Sequence, residues 1–252
     1  MRYSHLLQKS RKQHILKYHF ASGVISWVWI IVSFLLIGFL FSFSSLDLKQ
    51  VLSGFVVSLV RTTISYLIAV ILAVIIALAI TANRWIEAIL LPIFDVLQSF
   101  PSFALFPVLV VALKNSPEMI IILVLSVTMI WPILFSIIGG IKNRRQDFED
   151  AAEIFGVHGW KRFLYLEIPE LMPSIATGSI VGWGEGWEFI IGAELLVKTN
   201  IGIGTYLGFL GNNQENVALA FGIIILLMLL YIINRLIWLP LLTKVTSYSM
   251  ED

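Results

Sequence analysis

Long apolar stretches alternate with short polar segments along the whole chain. Six of these stretches are long enough to cross the membrane, since about 30 Å of hydrocarbon requires roughly 20 apolar residues in a helix. They cover residues 20–43, 54–80, 89–113, 119–141, 171–197 and 217–239. The pattern predicts an all-α membrane protein with six transmembrane helices. Residues 20–243 would form one membrane domain between a polar N-terminal segment, 1–19, and a short tail, 244–252.

Lysine and arginine are distributed unevenly between the two sides of this arrangement. With residues 1–19 in the cytoplasm, twelve basic residues fall on the cytoplasmic side and only Lys49, Lys114 and Lys198 on the other. Because cytoplasmic loops carry an excess of basic residues, we expect both termini and the loop at 142–170 to be cytoplasmic. Arg61 and Arg235 lie within predicted spans near their ends, where a long side chain can snorkel to the interface.

The basic N-terminal segment allows two interpretations. It includes LLQKSRKQHILKYH, which could form a helix on the anionic inner leaflet, or it could be a plain solvated flank of the first span. No small-residue cleavage site follows it, so we expect the first apolar stretch to be retained as a span and not removed as a signal peptide.

Composition agrees with a membrane protein and excludes several kinds of chemistry. The chain is 58% hydrophobic and 13% charged, whereas soluble domains have about 25% charged residues. Without cysteine it has no disulfide, iron–sulfur cluster or thiolate zinc site. No HExxH, GxSxG or GxxxxGK[ST] motif occurs, so we expect no enzymatic activity, no cofactor and no ATP site in this chain.

The longest polar segment after the N-terminus lies between the fourth and fifth predicted spans. Acidic residues at 147, 149 and 150 begin a short predicted helix, where the positive end of the helix dipole favours them, and Gly156 is a natural C-cap. A second short helix is predicted at 160–167 and should end before Pro169. The small and apolar residues of this segment suit docking to another protein, although packing against its own bundle would explain them equally.

The spacing within this segment resembles the EAA loop of ABC-importer permeases. That loop reads EAA, three residues, Gly, nine residues and I-x-L-P, and the matching sequences here are DAA at 150–152, Gly156 and LEIP at 166–169. Aspartate replaces the usual glutamate, and leucine and isoleucine are exchanged around Glu167, both conservative changes. The positions that the resemblance implies for coupling to an ATPase are Glu149, Asp150, Ala151, Ala152, Gly156 and Pro169.

Further segments resemble the nitrate/sulfonate/taurine-type permeases within that family. Residues 58–61 look like the start of its second span, residues 92–104 like the entry to its third, and residues 187–194 and 202–207 like its fifth span and the following outer turn. The likeness covers roughly residues 55–240. It implies a type I ABC importer permease fold, with six transmembrane helices and a cytoplasmic coupling helix.

The resemblance also implies partners and a setting. Two such subunits, identical or homologous, would pack with a cytoplasmic dimer of ATPase subunits that bind ATP and magnesium. An extracytoplasmic binding protein would deliver the solute, and the complex would lie in the inner membrane of a prokaryotic cell, surrounded by the lipid bilayer. The solute would be an anion such as nitrate, a sulfonate, taurine or bicarbonate, or a small organic metabolite. No nucleic-acid partner is expected.

Glutamates within the fifth predicted span are candidates for the translocation pathway. Each charged residue inside a span costs about 2.5–3.5 kcal/mol, so these side chains must face a cavity, find partners or stay protonated. Glu185 and Glu188 share one helix face, whereas Glu194 lies on the tryptophan stripe and could instead have a structural role near the outer end. The residues assigned to the pathway are Gln98, Glu185, Trp187, Glu188 and Glu194.

Three glycines of the same span, Gly178, Gly182 and Gly186, repeat at four-residue spacing and would let a second helix approach closely. The partner could be a helix of another subunit, at the interface that lines the pathway, or a helix of the same chain.

The acidic pair leaves the solute and the mechanism open. Glu185 and Glu188 would disfavour a doubly charged anion unless they are protonated or paired with arginine, and Arg61 is the candidate that lies deep enough. A proton-coupled secondary transporter using the same pair is the alternative function. A membrane-embedded enzyme with this pair as acid and base has less support, because no nucleophile or metal-ligand set accompanies it.

Overall fold

The computed structural model describes Trp29 and residues 31–33, 46–113, 116–143, 154, 156 and 158–248. The segment 1–19, most of the first predicted span, residues 144–153 and the end of the tail lie outside this part of the chain.

Helices follow one another along the described chain. They are α1 (Leu48–Thr81), α2 (Arg84–Gln98), a 3₁₀ turn (Ser102–Ala104), α3 (Leu105–Ala112), α4 (Pro117–Lys142), α5 (Gly159–Arg162), a π-helical turn (Phe163–Glu167), α6 (Ile168–Val197), α7 (Ile203–Asn212), α8 (Asn216–Ile233), a second π-helical turn (Asn234–Trp238) and α9 (Leu239–Tyr248).

Local chemistry sets several of the helix ends. Asp47 caps α1 by accepting hydrogen bonds from the backbone N–H groups of Lys49 and Gln50, and a further hydrogen bond from the Gln50 side chain holds the Asp47 pKa below its usual value. Asn83 caps α2 in the same way through the N–H of Trp85. At the other end of α6, Lys198 adopts a left-handed conformation with φ of 54°, which ends the helix.

Three continuous helical segments of the described chain are long and apolar enough to cross a membrane: Leu48–Thr81, Pro117–Lys142 and Asn216–Thr243. Helix α6 has 30 residues and covers the fifth predicted span, but glutamates and glycines interrupt its apolar sequence and it is not among the three. The first predicted span is described only at Trp29 and 31–33. The count of six therefore stays a prediction, whereas the helical class is confirmed.

The third predicted span, 89–113, is not one straight helix. Helix α2 and the segment Ser102–Ala112 are bent by 79° at a short break, so they form either a broken span or a re-entrant loop. Pro101 stands in the break, has no N–H to donate and disfavours helical geometry at Phe100, which explains why the helix ends here.

Pro169 does not separate the loop helix from the fifth span, contrary to the sequence-based expectation. Helical structure continues from Gly159 through the π-helical turn Phe163–Glu167 into α6. Pro169 directly follows this π-helical turn, whose wider geometry accommodates the proline ring and the missing N–H without ending the helix. The loop segment that begins at Gly159 is therefore continuous with α6.

Helix α4 packs between α1 and α6. It runs parallel to α1, because Arg61 meets Glu118 and Ser126 meets Ser65 further along both helices. It runs antiparallel to α6, since Gly178 lies beside Ile133 and Gly182 beside Met129. The apolar core at the α1–α4 interface includes Ala69, Ala73 and Ala77 of α1 and Met129, Ile133 and Ile137 of α4.

The glycine stripe of α6 is used within the chain. A Cβ atom on Gly178 would lie 2.8 Å from the Ile133 Cα, and one on Gly182 would lie 2.9 Å from the Met129 carbonyl oxygen. Gly186 faces the Met129 side chain in the same way. Of the two alternatives that the spacing allowed, these contacts support packing against α4 of the same chain and not a helix of another subunit.

Gly182→Ala should destabilise the bundle, whereas Gly184→Ala on the same helix should not. The added methyl group at Gly182 meets α4 backbone that cannot rotate away, and overpacking of this kind costs about 1–3 kcal/mol. Nothing lies within 4 Å of a Cβ on Gly184, so alanine there should be neutral or stabilise by about 0.5–1 kcal/mol through helix propensity. Thermal unfolding of the detergent-solubilised variants, followed by circular dichroism, measures both. Equal melting temperatures would show that α4 and α6 do not pack at this distance.

Candidate functional site

A buried arginine lies between two carboxylates at one end of the bundle. Arg61 of α1 is only 4% exposed. Its Nη1 donates to Glu194 Oε1 at 2.6 Å and to the Ile201 carbonyl oxygen at 2.8 Å. Its Nε donates to Glu118 Oε2 at 2.6 Å, while Nη2 bonds the other Glu118 oxygen. The two-point contact with Glu118 uses the planar fork that distinguishes arginine from lysine.

Glu194 of α6 is wholly buried and receives hydrogen bonds from three directions. Besides Arg61, the Ser58 hydroxyl donates to Oε1 at 2.6 Å and the Gly204 backbone N–H to Oε2 at 2.8 Å. Ser58 in turn accepts from the Ile203 N–H at 2.9 Å. The carboxylate thus sits at the N-terminus of α7, where unpaired N–H groups and the helix dipole favour negative charge.

The glycine at 202 makes room for this carboxylate. A Cβ there would overlap the Glu194 carboxyl group, and a Cβ on Gly54 would lie 2.9 Å from the Gly202 carbonyl carbon. Close contact between the turn at 198–202, α1 and α6 therefore explains the glycine at position 202, the first of the G-x-G sequence that resembles the family's outer turn. This geometry favours the structural alternative for Glu194.

The position of Arg61 near a span end suggested that its side chain snorkels to the interface. Instead, the side chain is buried and forms ion pairs with two glutamates. It is also not placed with Glu185 and Glu188, because its ion pairs are with Glu118 and Glu194. Glu118, whose side chain is 60% exposed, was missed by sequence reasoning. The available signal was its position in the first turn of α4, beside Pro117.

Glu185 and Glu188 lie on the face of α6 that turns away from α4. Glu185 is half-buried and Glu188 exposed, and exposed Thr177, Val181 and Gly184 share this face. Their separation of roughly 60° around the helix follows from the helical backbone. Neither carboxylate has a hydrogen bond or ion pair within the part of the chain that the structure describes.

The other predicted pathway residues lie elsewhere. Trp187 is buried and stacks on Phe55 of α1 with a ring-centroid distance of 5.3 Å. Gln98 is exposed at the end of α2 and donates to Asp95 at 2.7 Å, beside the break. The structure therefore keeps Glu185 and Glu188 together and places Trp187 and Glu194 on the neighbouring face that meets α1.

An aromatic cluster extends this α1-facing side. Trp183 lies 5.6 Å from Tyr66, 6.3 Å from Trp187 and 5.7 Å from Trp238 between ring centroids. Tyr66 and Trp238 also meet edge to face at 5.6 Å. Sequence reasoning did not single out Tyr66 and Trp238, because they belong to other helices and only the fold brings them to α6.

Part of the predicted coupling segment is described. Gly156 is exposed with φ of 64°, the left-handed conformation expected of a glycine at a helix C-terminus. Pro169 is exposed at the start of α6. Glu149, Asp150, Ala151 and Ala152 lie outside the described residues. At the base of the loop, Lys142, the last residue of α4, forms an ion pair with Glu87 in the first turn of α2.

Long apolar helices around a buried ion network define a multi-pass helical membrane protein. Residues 69–239 match the family described as binding-protein-dependent transport system inner membrane component, and the chain belongs to that family. This confirms the resemblance found in the sequence.

Several relatives are named for solute import. The chain is 29% identical to the nitrate import permease protein NrtB of Leptolyngbya laminosa over 71% of this chain and 64% of the relative. It is 29% identical to the bicarbonate transport system permease protein CmpB of Synechococcus elongatus, over 60% and 54%. For the taurine transport system permease protein TauC of Escherichia coli the identity is 27%, over 56% and 51%. The chain thus spans between about half and two thirds of the length of these relatives.

Arg61→Met should be strongly destabilising, and Glu118→Gln only weakly so. Methionine leaves Glu194 buried without its cation, and breaking a buried pair in this way costs about 3–5 kcal/mol. The Glu118 side chain is mostly exposed, and exposed pairs contribute about 0–1 kcal/mol. Melting temperature in detergent is the measurement, and Glu188→Gln, on the open face of α6, is the matched control. If Glu118→Gln lowered the melting temperature as much as Arg61→Met, the exposed ion pair with Glu118 would be as important for stability as the buried pair with Glu194, which would contradict the prediction.

Proposed function

We propose that this chain is the permease subunit of an ATP-binding-cassette importer and forms the translocation pathway for a small polar solute. The single observation that carries the proposal is the family match over residues 69–239, which covers the bundle from the middle of α1 to the start of α9 and includes the EAA-like loop. ATP and magnesium would bind the partner ATPase, and the chemistry would take place there.

Coupling would run through the loop between α4 and α6. The loop leaves α4 at Lys142, which is paired with Glu87 of α2, and returns as the helical segment that continues into α6. Within the returning segment, Arg162 lies 3.5 Å from Glu167. A push on the loop by the ATPase would therefore move the inner ends of α2, α4 and α6 together and tilt them between inward-open and outward-open states.

The assembly would contain two permease subunits, identical or homologous, two ATPase subunits and an extracytoplasmic binding protein. The excess of lysine and arginine supports a cytoplasmic location for both termini and the loop 142–170. The Arg61 network and α7 then face the outer side, where the binding protein would dock. The setting is the inner membrane of a prokaryotic cell.

The open face of α6 is the proposed contribution to the pathway. An exposed carboxylate such as Glu188 is expensive against lipid, so this face requires water or a second subunit opposite it. The relatives named for nitrate, bicarbonate and taurine support a small, oxygen-rich solute for the assembly. Gln98 at the break in the third span would lie along the same route.

A proton-coupled secondary transporter is the second candidate function. The observation that favours it is a pair of acids, Glu185 and Glu188, on one open helix face without partners in the described chain. Uptake by this mechanism would stop when the proton gradient is collapsed and would continue when ATP is depleted. The proposed importer gives the opposite result in both treatments.

Asp150→Lys and Gly156→Leu test the coupling loop in different ways. The lysine reverses a charge on the proposed docking helix and should abolish co-purification of an ATPase in mild detergent. Leucine at Gly156 strains a left-handed residue and should leave the ATPase bound while uncoupling ATP hydrolysis from uptake.

Asn213→Lys, which adds a charge in the exposed turn after α7 at the other end of the bundle, is the control. If the ATPase is retained by Asp150→Lys as well as by the control, the loop is not the docking element. Unchanged coupling in Gly156→Leu would remove that residue from the proposal.

Glu185→Gln and Glu188→Gln, singly and together, should change the rate or solute preference of uptake without affecting ATPase co-purification. Neutral side chains alter the charge of the proposed pathway and leave the glycine and aromatic faces of α6 intact. Uptake of labelled nitrate, bicarbonate and taurine into proteoliposomes provides the measurement, with Glu215→Gln before α8 as the control. Indifference of uptake to the double substitution would assign the pair a structural role.

A further inference from the structure

Two phenylalanine rings meet where the bent third span touches α6. Phe103, in the 3₁₀ turn Ser102–Ala104, stacks on Phe189 of α6 with ring centroids 4.2 Å apart and ring planes 16° from parallel. Gly192 of α6 provides the space for this ring, because a Cβ atom there would lie 2.9 Å from Phe103 Cε1. Phe103 is nevertheless 41% exposed, so part of its ring stays open beside α6.

The seat of this ring lies on the same face of α6 as the acid pair. Phe189 is about 40° around the helix from Glu185 and one turn closer to the end that carries the buried ion network. Gly192 has the same relation to Glu188, since each pair is four residues apart. Phe103 therefore covers the open face of α6 directly beyond the two carboxylates.

The character of this face changes at the seat. On the side of the loop it carries the two carboxylates and the exposed small residues Thr177 and Gly184. Nothing in the described chain lies within 4 Å of a Cβ atom on Gly184. On the other side, toward the buried ion network, the same face carries Leu196, which is apolar and 58% exposed. The face is thus polar and open up to the ring, and apolar from the ring outward.

The backbone that holds Phe103 is short and anchored at one end. The segment Ser102–Ala112 leaves α2 at a bend of 79°, and Phe106, one turn after Phe103, is buried in the apolar core. Between bend and anchor, the 3₁₀ turn is closed by a hydrogen bond of 2.8 Å from the Ala104 N–H to the Pro101 carbonyl oxygen. Hinges consist of a few such residues at the ends of elements, whose torsions absorb a movement. The ring can therefore leave α6 without unfolding a helix.

We propose that Phe103, seated on Phe189 and Gly192, is the outer gate of the translocation pathway and closes it beyond Glu185 and Glu188. The gate rests on the proposed function, because it takes the open face of α6 as the pathway. Apolar rings offer a polar solute no hydrogen bonds and exclude water, as the hydrophobic constrictions of channels do. Movement of the bent segment away from α6 would lift the ring and connect the carboxylates with the outer side.

The test uses a single thiol on the open face, which the absence of cysteine from the chain makes possible. The permease–ATPase complex with Gly184→Cys is treated, without ATP, with a membrane-impermeant maleimide in right-side-out and in inside-out vesicles. We expect fast labelling from the inner side and slow labelling from the outer side. Adding Phe103→Ala should raise the outer rate about two- to tenfold, the factor that corresponds to the loss of one aromatic pair, and leave the inner rate unchanged.

Further variants separate a gate from general loosening of the bundle. Gly192→Ala displaces the ring without removing it, and we expect the same rise from the outer side alone. Phe100→Ala is the matched control, because Phe100 stands at the same bend and is 49% exposed, and it should leave both rates unchanged. Asn213→Cys, in the exposed turn after α7, gives the rate of a thiol that is open to the outer side.

The remaining outcomes overturn the gate in distinguishable ways. An outer rate that stays low in both Phe103→Ala and Gly192→Ala, or a rise from both sides, removes the gate, and an ATPase that co-purifies keeps the importer proposal. Labelling of Gly184→Cys from the outer side as fast as that of Asn213→Cys also removes it. Labelling from neither side would exclude the open face from the pathway, and the gate with it. If no ATPase accompanies the chain, the importer proposal fails, and a rise from the outer side alone still decides whether Phe103 closes this face.

Discussion

The charge of Arg61 and the two carboxylates around it organise one end of this molecule. A buried carboxylate such as Glu194 is unstable without a cation and hydrogen-bond donors, because the membrane interior cannot solvate it. Arg61, Ser58 and Gly204 supply these, and each comes from a different helix from Glu194. Satisfying one buried charge therefore fixes the relative positions of α1, α6 and α7. Glu118 extends the same arginine to α4 from a more exposed position.

Helix α6 performs three different tasks on three faces. Its glycines admit the backbone of α4 at close distance, and its tryptophans together with Glu194 meet α1. The remaining face presents Glu185 and Glu188 to whatever lies outside the described bundle. Close backbone contact on one face and a buried charge on another fix the position of α6 against α4 and α1. In the proposed importer, the third face would meet the solute or a second subunit.

Helix α6 is continuous with the end of the loop that precedes it. Helical structure is unbroken from Gly159 to Val197, and the π-helical turn at Phe163–Glu167 accommodates Pro169 without a stop. The break between α2 and α3 provides the opposite property, a sharp bend at Pro101 close to α6, where Phe103 stacks on Phe189 at 4.2 Å. In the proposed importer, the continuous helix would transmit displacement of the loop, and the break at Pro101 would allow the chain to bend beside it.

The sequence by itself determined the helical class, the membrane setting and the family, because hydropathy over a bilayer's thickness and the spacing of the EAA-like loop are local properties of the chain. It also placed Glu185 and Glu188 on one face, which follows from helical periodicity alone. Only the tertiary structure decided which helix the glycines meet, which acids Arg61 holds and which side chains surround Trp183. Arg61 and Glu194 are 133 positions apart, and periodicity within one helix carries no information about its neighbours. The same limit explains the bend at Pro101, since a proline inside an apolar stretch is compatible with a kinked span as well as with a broken one.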